Sequence, residues 1–330
     1  MTYAQGGLIT AGDYNTLVGA NTSVTGTDLN GVWAWGGNSR GYGQSVVSLA
    51  AVNSADLITA TQWASLVNTL NSANTHITGS SSGLTANTAG QVIGYSGSLQ
   101  TKINGINTDR LLFNSNSAVV VGTGLAYTAW VVTATQGVDP GTASRAFGIR
   151  ATFSGATSPS LTSGPDRARF FFNAGGRMKF NISATADAVA RSVAAKALVD
   201  DMGGIALFAA NTNGGRTGTG GTVGTNNTAL GYYTSPFNAN TTVISVTSTT
   251  TNYTSDTASI TVKPGGSQGS FNANGDYIDF WATINSTSGG NSGGSFDDSL
   301  NLTVTVSVDV SYPEVTNLAN TWGAVTFTQL

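Results

Sequence analysis

One histidine, His76, and no cysteine make up this chain's supply of side chains that act as bases or nucleophiles near neutral pH. A serine hydrolase needs a histidine base oriented by a carboxylate. His76 follows a predicted helix and precedes a Ser/Gly-rich stretch. It therefore reads as a surface residue or a helix C-terminal cap, a place imidazole favours. Glycoside hydrolysis needs two facing carboxylates held ~5–9.5 Å apart. Candidates are Asp276, Asp279, Asp297, Asp298 and Asp309. Asp276 and Asp279 open one predicted strand, where solvated turn positions are the plainer explanation. Residues 214–221, Gly-Gly-Arg-Thr-Gly-Thr-Gly-Gly, invite a phosphate-loop reading. That reading fails, because no Lys-Ser/Thr pair follows and no helix begins there. A dinucleotide fingerprint fails on spacing and on the lack of a βαβ unit, so a flexible loop is expected. Asp200-Asp201 and Asp297-Asp298 are adjacent pairs, but no loop repeats oxygen ligands at alternate positions. No cofactor and no metal are expected.

Charge is scarce. Lys, Arg, Asp and Glu make up 9% of 330 residues, against roughly 25% in ordinary soluble domains. Glu314 is the single glutamate. The net charge of -3 excludes charge-driven disorder and argues against a nucleic-acid surface. Weakly charged proteins tend to associate, so assembly is expected. No signal peptide and no membrane span are visible, and synthesis in the cytoplasm is expected.

The positioning elements fall into two parts, 1–110 and 111–330. The first carries an internal repeat, 8–18 and 57–67, with the pattern L-I-T-A-x-x-(aromatic)-x-x-L-V. Thr10 and Thr59 suit helix N-caps, and Ile9 and Ile58 suit a staple. Tyr14, Leu17 and Val18, like Trp63, Leu66 and Val67, then fall on one helical face. Between the copies, 32–44 reads as a tight loop in which Trp33, Trp35 and Tyr42 pack between helices or dock a partner. Residues 94–110 predict a third helix through Leu99, Ile103 and Ile106, and 77–92 a loop.

Beyond 111 the period becomes two. Strands are predicted at 119–121, 126–134, 147–153, 169–172, 178–182, 205–209, 242–246, 259–262, 277–284, 302–310 and 324–327. Residues 302–310 alternate apolar and polar throughout, which demands one buried and one wet face. One helix interrupts at 189–202, with Val193, Ala197, Leu198 and Met202 on its apolar side. Residues 213–227 and 286–295 are low-complexity, mobile or ordered by a neighbouring subunit. The expected fold is mainly β: an antiparallel β-sandwich or jelly-roll-like body with a small helical N-terminal module.

Three patches resemble known proteins. Residues 7–17 (Gly-Leu-Ile-Thr-Ala-Gly-Asp-Tyr-Asn-Thr-Leu), followed by Trp35 and by Gly41-Tyr42-Gly43-Gln44, resemble the N-terminal region of virion structural and fibre-like proteins of large contractile-tailed bacteriophages, marine and cyanobacterial types above all. The second repeat, with Trp63, Leu66 and His76, belongs to the same pattern. Residues 169–178 resemble an FFNxGG strand-turn-strand element in related proteins, and Asn173 to Gly176 suits a tight turn.

The resemblance implies a non-enzymatic component of tail fibre, baseplate or neck. Its N-terminal module would anchor the chain through Tyr14, Leu17, Trp33, Trp35, Tyr42, Trp63 and Leu66. Expected partners are identical copies, three by analogy with phage fibres, and other virion proteins, with no nucleic acid and no membrane. The alternatives are a capsid or neck decoration protein, or an adhesin that reads host surface glycans through loop aromatics such as Tyr232, Tyr233 and Trp281.

Overall fold

A computed structural model describes residues 9–19, 28–34, 41–45, 49–91, 98–109, 119–121, 125–126, 130–132, 141–154, 167–209, 215–227, 240–265, 275–287 and 299–330. Among the described residues four helices precede residue 110: α1 (Ala11–Val18), α2 (Leu29–Trp33), α3 (Ala60–Thr78) and α4 (Ser98–Asp109). The repeat builds the same start twice. Thr10 accepts from the Asp13 amide while Asp13 accepts from the Thr10 amide, at 3.2 and 3.0 Å. Thr59 and Gln62 repeat that reciprocal cap at 3.2 and 2.8 Å. Each box satisfies amides that a helix start leaves orphaned. α3 stops at Gly79, whose φ of 77° costs glycine little.

α2 replaces the first part of the loop expected at 32–44. The Asp28 carboxylate caps it by accepting from the Gly31 amide at 2.7 Å. The chain then returns as 41–45, with Tyr42 and Gln44 amides donating to the Val32 and Trp33 carbonyls.

The body is a sandwich of two antiparallel sheets. The first contains β1 (Val119–Val121), β2 (Leu125–Ala126), β3 (Trp130–Val132), β5 (Arg177–Ala186), β6 (Ile205–Leu207), β7 (Gly215–Arg216) and β12 (Leu300–Ser311). β5 flanks β12 on one side, and β1, β2 and β3 pair with it in turn on the other. The second runs β13–β4–β11–β10–β9–β8. Its strands are β4 (Ala143–Ser154), β8 (Thr222–Asn226), β9 (Thr241–Thr247), β10 (Thr257–Pro264), β11 (Tyr277–Ser286) and β13 (Ala324–Gln329). Alternation on β12 buries Leu300, Leu302, Val304, Val306, Val308 and Val310. Across the core the Phe180 and Phe280 rings stack, 5.5 Å apart and 4° from parallel. Helix α6 (Ala190–Met202) touches β5 and β12 of one sheet and β9, β10 and β11 of the other.

Several expectations are corrected. Residues 169–172 are not a strand: α5 (Arg167–Asn173) is a helix closed by Ala174 and Gly176 amides bonding back to Phe170 and Phe171 carbonyls. A short run buried on every side has no period to betray its type. On α6, Val193 is exposed and Ala197 half-buried; the buried side is Arg191, Ser192, Ala194, Ala195, Leu198, Val199 and Met202. The Arg191 guanidinium turns inward, donating to Ser286 Oγ and O at 3.0 and 2.5 Å and to Gly141 O at 2.9 Å. That rotates the helix away from the stripe its apolar residues suggest.

Residues 215–227 are not a mobile loop. They cross from β7 to β8 over the C-terminus of α6, where Arg216 donates to the Asp201, Met202 and Gly220 carbonyls. Gly218 is required there, since a Cβ would strike the Asp201 and Met202 carbonyl region. Residues 213–214 and 288–295 lie outside the described residues, and 286–287 are ordered in and after β11.

The helical segment and the sandwich share one continuous core. Gln44 Nε2 donates to Ala319 O at 2.9 Å and Gln44 Oε1 accepts from Ala319 N at 2.8 Å. Ser72 Oγ donates to Asn317 O at 2.7 Å.

Candidate binding face on the second sheet

β4, β10 and β11 turn one set of side chains inward and the other onto an outer face. On β11 the outward set is Tyr277, Asp279, Trp281, Thr283 and Asn285. Register places Arg150 and Lys263 on either side of Asp279, and Gly148 and Thr261 on either side of Trp281. On the β9 and β10 side and farther along β11 stand Thr242, Ser245, Thr257, Ser259 and Thr283, so rows of hydroxyls flank a small charged and aromatic centre.

Arg150 grips Asp279 as a fork, Nε to Oδ1 at 2.6 Å and Nη2 to Oδ2 at 2.8 Å. Parallel N–H···O bonds of this kind fix orientation as well as charge. The guanidinium carbon also lies 3.9 Å from the centre of the Tyr277 ring, a cation–π contact. The hydrogen bond to Asp279, opposed by burial, pushes the Arg150 pKa still higher. Asp279 is 5% exposed, so the expectation of a solvated turn residue is corrected. Both of its oxygens accept from the Arg150 guanidinium.

Trp281, expected on a loop, instead stands within β11, paired with Gly148 of β4; it is partly exposed, and its ring lies over that glycine. A Cβ on Gly148 would come within 2.5–2.7 Å of three indole carbons. Glycine inside a strand marks such a close approach. The result is a flat indole resting on the sheet, beside a fixed ion pair and rows of hydroxyls.

The other expected residues sort plainly. Tyr14, Leu17, Tyr42, Trp63 and Leu66 are all buried within the chain's own core. Trp33 is half-buried, and its Nε1–H donates to Ser45 O at 3.0 Å. Trp35, Tyr232, Tyr233, Asp297 and Asp298 lie outside the described residues. Asp309 accepts from Asn181 Nδ2 at 2.8 Å, and Asp200 pairs with Lys196 at 2.5 Å. His76 is neither a surface residue nor a simple cap, being 7% exposed beneath the sandwich.

Sequence reasoning passed over Arg150, Tyr277 and Gly148. The one available signal was Gly148, a glycine between apolar residues of a predicted strand. It also passed over a buried polar knot at one end of the second sheet. There Asp256 accepts from the Thr287 amide and hydroxyl, both at 2.6 Å, near Arg191. Burial raises the Asp256 pKa, against the lowering effect of those hydrogen bonds and of Arg191.

No family model, no curated protein and no solved structure matches this chain. Among the described residues, no helix is long and apolar enough to cross a membrane.

Proposed function

We infer that this chain is a non-enzymatic, fibre-like structural component of a bacteriophage virion, in the tail, baseplate or neck. In this reading it is made in the host cytoplasm, assembles with identical copies and attaches through its N-terminal helices. The observation that carries it is the use made of the few ionisable side chains. Asp279 is clamped by Arg150, Asp309 receives an Asn181 amide, Asp13 completes a helix cap and His76 bonds a backbone carbonyl. They hold the fold together. The resemblance of the first 110 residues supports the same reading, as does a surface of Thr, Ser, Asn and Gly suited to association. A decoration protein of capsid or neck would share these features.

Sedimentation of the full-length chain tests it. A homo-oligomer that survives dilution is expected, whereas a monodisperse monomer at high concentration opposes the reading. So does polysaccharide turnover that Asp276→Asn or Asp279→Asn abolishes.

One observation favours a second reading, an adhesin for host surface glycans. A flat, partly exposed Trp281 flanked by rows of hydroxyls offers a pyranose an apolar face and hydrogen-bond partners together. Glycan-array binding lost on Trp281→Ala, with Tyr232→Ala and Tyr233→Ala as companions, would favour it.

A further inference from the structure

His76 stands in the last turn of α3, under the sandwich. Its Nε2–H donates to the Ala174 carbonyl, 2.9 Å away in the turn between α5 and β5. A ring nitrogen facing a carbonyl must carry the proton, which makes Nδ1 the acceptor nitrogen of a neutral imidazole. Nδ1 is buried and has no hydrogen-bond partner among the described residues. The Tyr42 ring meets the imidazole edge-on, with centroids 5.3 Å apart. The Tyr42 carbonyl in turn accepts from Thr321 Oγ1 at 3.1 Å, and the Gly41 carbonyl from Asn173 Nδ2 at 2.6 Å. The imidazole thus sits where α3, the 41–45 segment and the body join.

We propose that His76 is a proton-operated latch: neutral, it fastens the N-terminal helices to the sandwich, and protonation loosens that joint. A second N–H on the ring would meet no acceptor among the described residues, and the new charge would be held away from water. Burial lowers the His76 pKa below its ordinary 6.5, against smaller upward pulls from the Ala174 carbonyl and the Glu314 carboxylate.

Glu314 is the charged residue brought by the segment after β12. The 41–45 segment, the 174–176 turn and the rest of α3 carry none. α4, which packs on α3, carries Lys102 and Asp109, while α5 carries Arg167 and Arg169 and β5 carries Arg177 and Lys179.

The sign follows from the direction of the shift. A histidine whose folded pKa is depressed contributes stability that is intact above about 6.5 and lost as pH falls below it. No second histidine and no cysteine compete in that window. Asp256, the carboxyl raised by burial, works the other way, since proton uptake there favours the folded state.

Amide hydrogen exchange of the full-length chain between pH 7.5 and 5, corrected for intrinsic rates, tests the latch. The opening equilibrium of α3 is expected to rise by up to tenfold per pH unit below about 6.5. β4 and β11 keep their protection over the same range. His76→Gln retains an amide donor for Ala174 but cannot be protonated, so its α3 slope is expected to vanish. A flat wild-type profile, or an equal slope in the His76→Gln protein, overturns the proposal. Should that variant fail to fold, proton NMR of the one imidazole in the wild-type protein decides. A midpoint below 6.5 supports the latch, and one at or above 6.5 overturns it.

Discussion

The indole of Trp281 lies across Gly148, its neighbour on the adjacent strand, so closely that the glycine has no room for a side chain. Gly148→Val is therefore expected to destabilise the protein by about 1–3 kcal/mol, as overpacking does. The cost should shrink when Trp281→Ala is introduced in the same chain, because the obstruction is then gone. Urea unfolding midpoints of the two single variants and the double variant measure that coupling.

The ion pair beside it makes a different prediction. Arg150→Ala leaves Asp279 almost enclosed without its partner, a loss of about 1–3 kcal/mol. Replacing both residues with apolar ones of similar volume should recover much of this, since a clamped pair adds little over a packed apolar one. Equal losses in the single and double variants, read from the same midpoints, would contradict the account.

The two reciprocal caps can be tested separately. Thr10→Ala and Thr59→Ala are each expected to cost about 0.5–2 kcal/mol. The loss at Thr59 should show as fraying of α3 in hydrogen exchange, confined to its first turn.

Asp256 adds a pH dependence opposite to that of His76. Its folded pKa lies above the ordinary carboxyl value, so the native state takes up its proton first as pH falls. Relative to Asp256→Asn, wild-type stability should therefore improve on acidification from neutral pH toward about 4. A stability difference that stays constant across that range, in chemical unfolding, would remove Asp256 from the explanation.

The sandwich was legible wherever one face is wet: β12, β10 and β11 alternate because water lies on one side and the opposite sheet on the other. The repeat was equally legible, since Thr10 and Thr59 announce helix starts, although the returning partners Asp13 and Gln62 went unread. α5 hid because Phe170, Phe171 and Phe172 are all enclosed, and enclosure erases periodicity. α6 misled because Arg191, a residue type expected at the surface, is turned inward to the Ser286 and Gly141 carbonyls. The crossing at 215–227 looked like a flexible linker, yet Gly218 is there to let backbone approach backbone at the end of α6. On the candidate face, Trp281 stood out as an aromatic. Its pairing with Gly148 and the clamp on Asp279 depend on register between strands more than a hundred residues apart, which composition does not reveal.

The grip of Gln44 on Ala319 spans 275 residues of chain. Translation delivers α1, α2 and α3 long before the segment that closes over them, so their early shape on the ribosome lacks its final support. Such distant closure raises contact order and slows folding. Completion of the joint consequently reports that the chain has been made at least as far as Ala319.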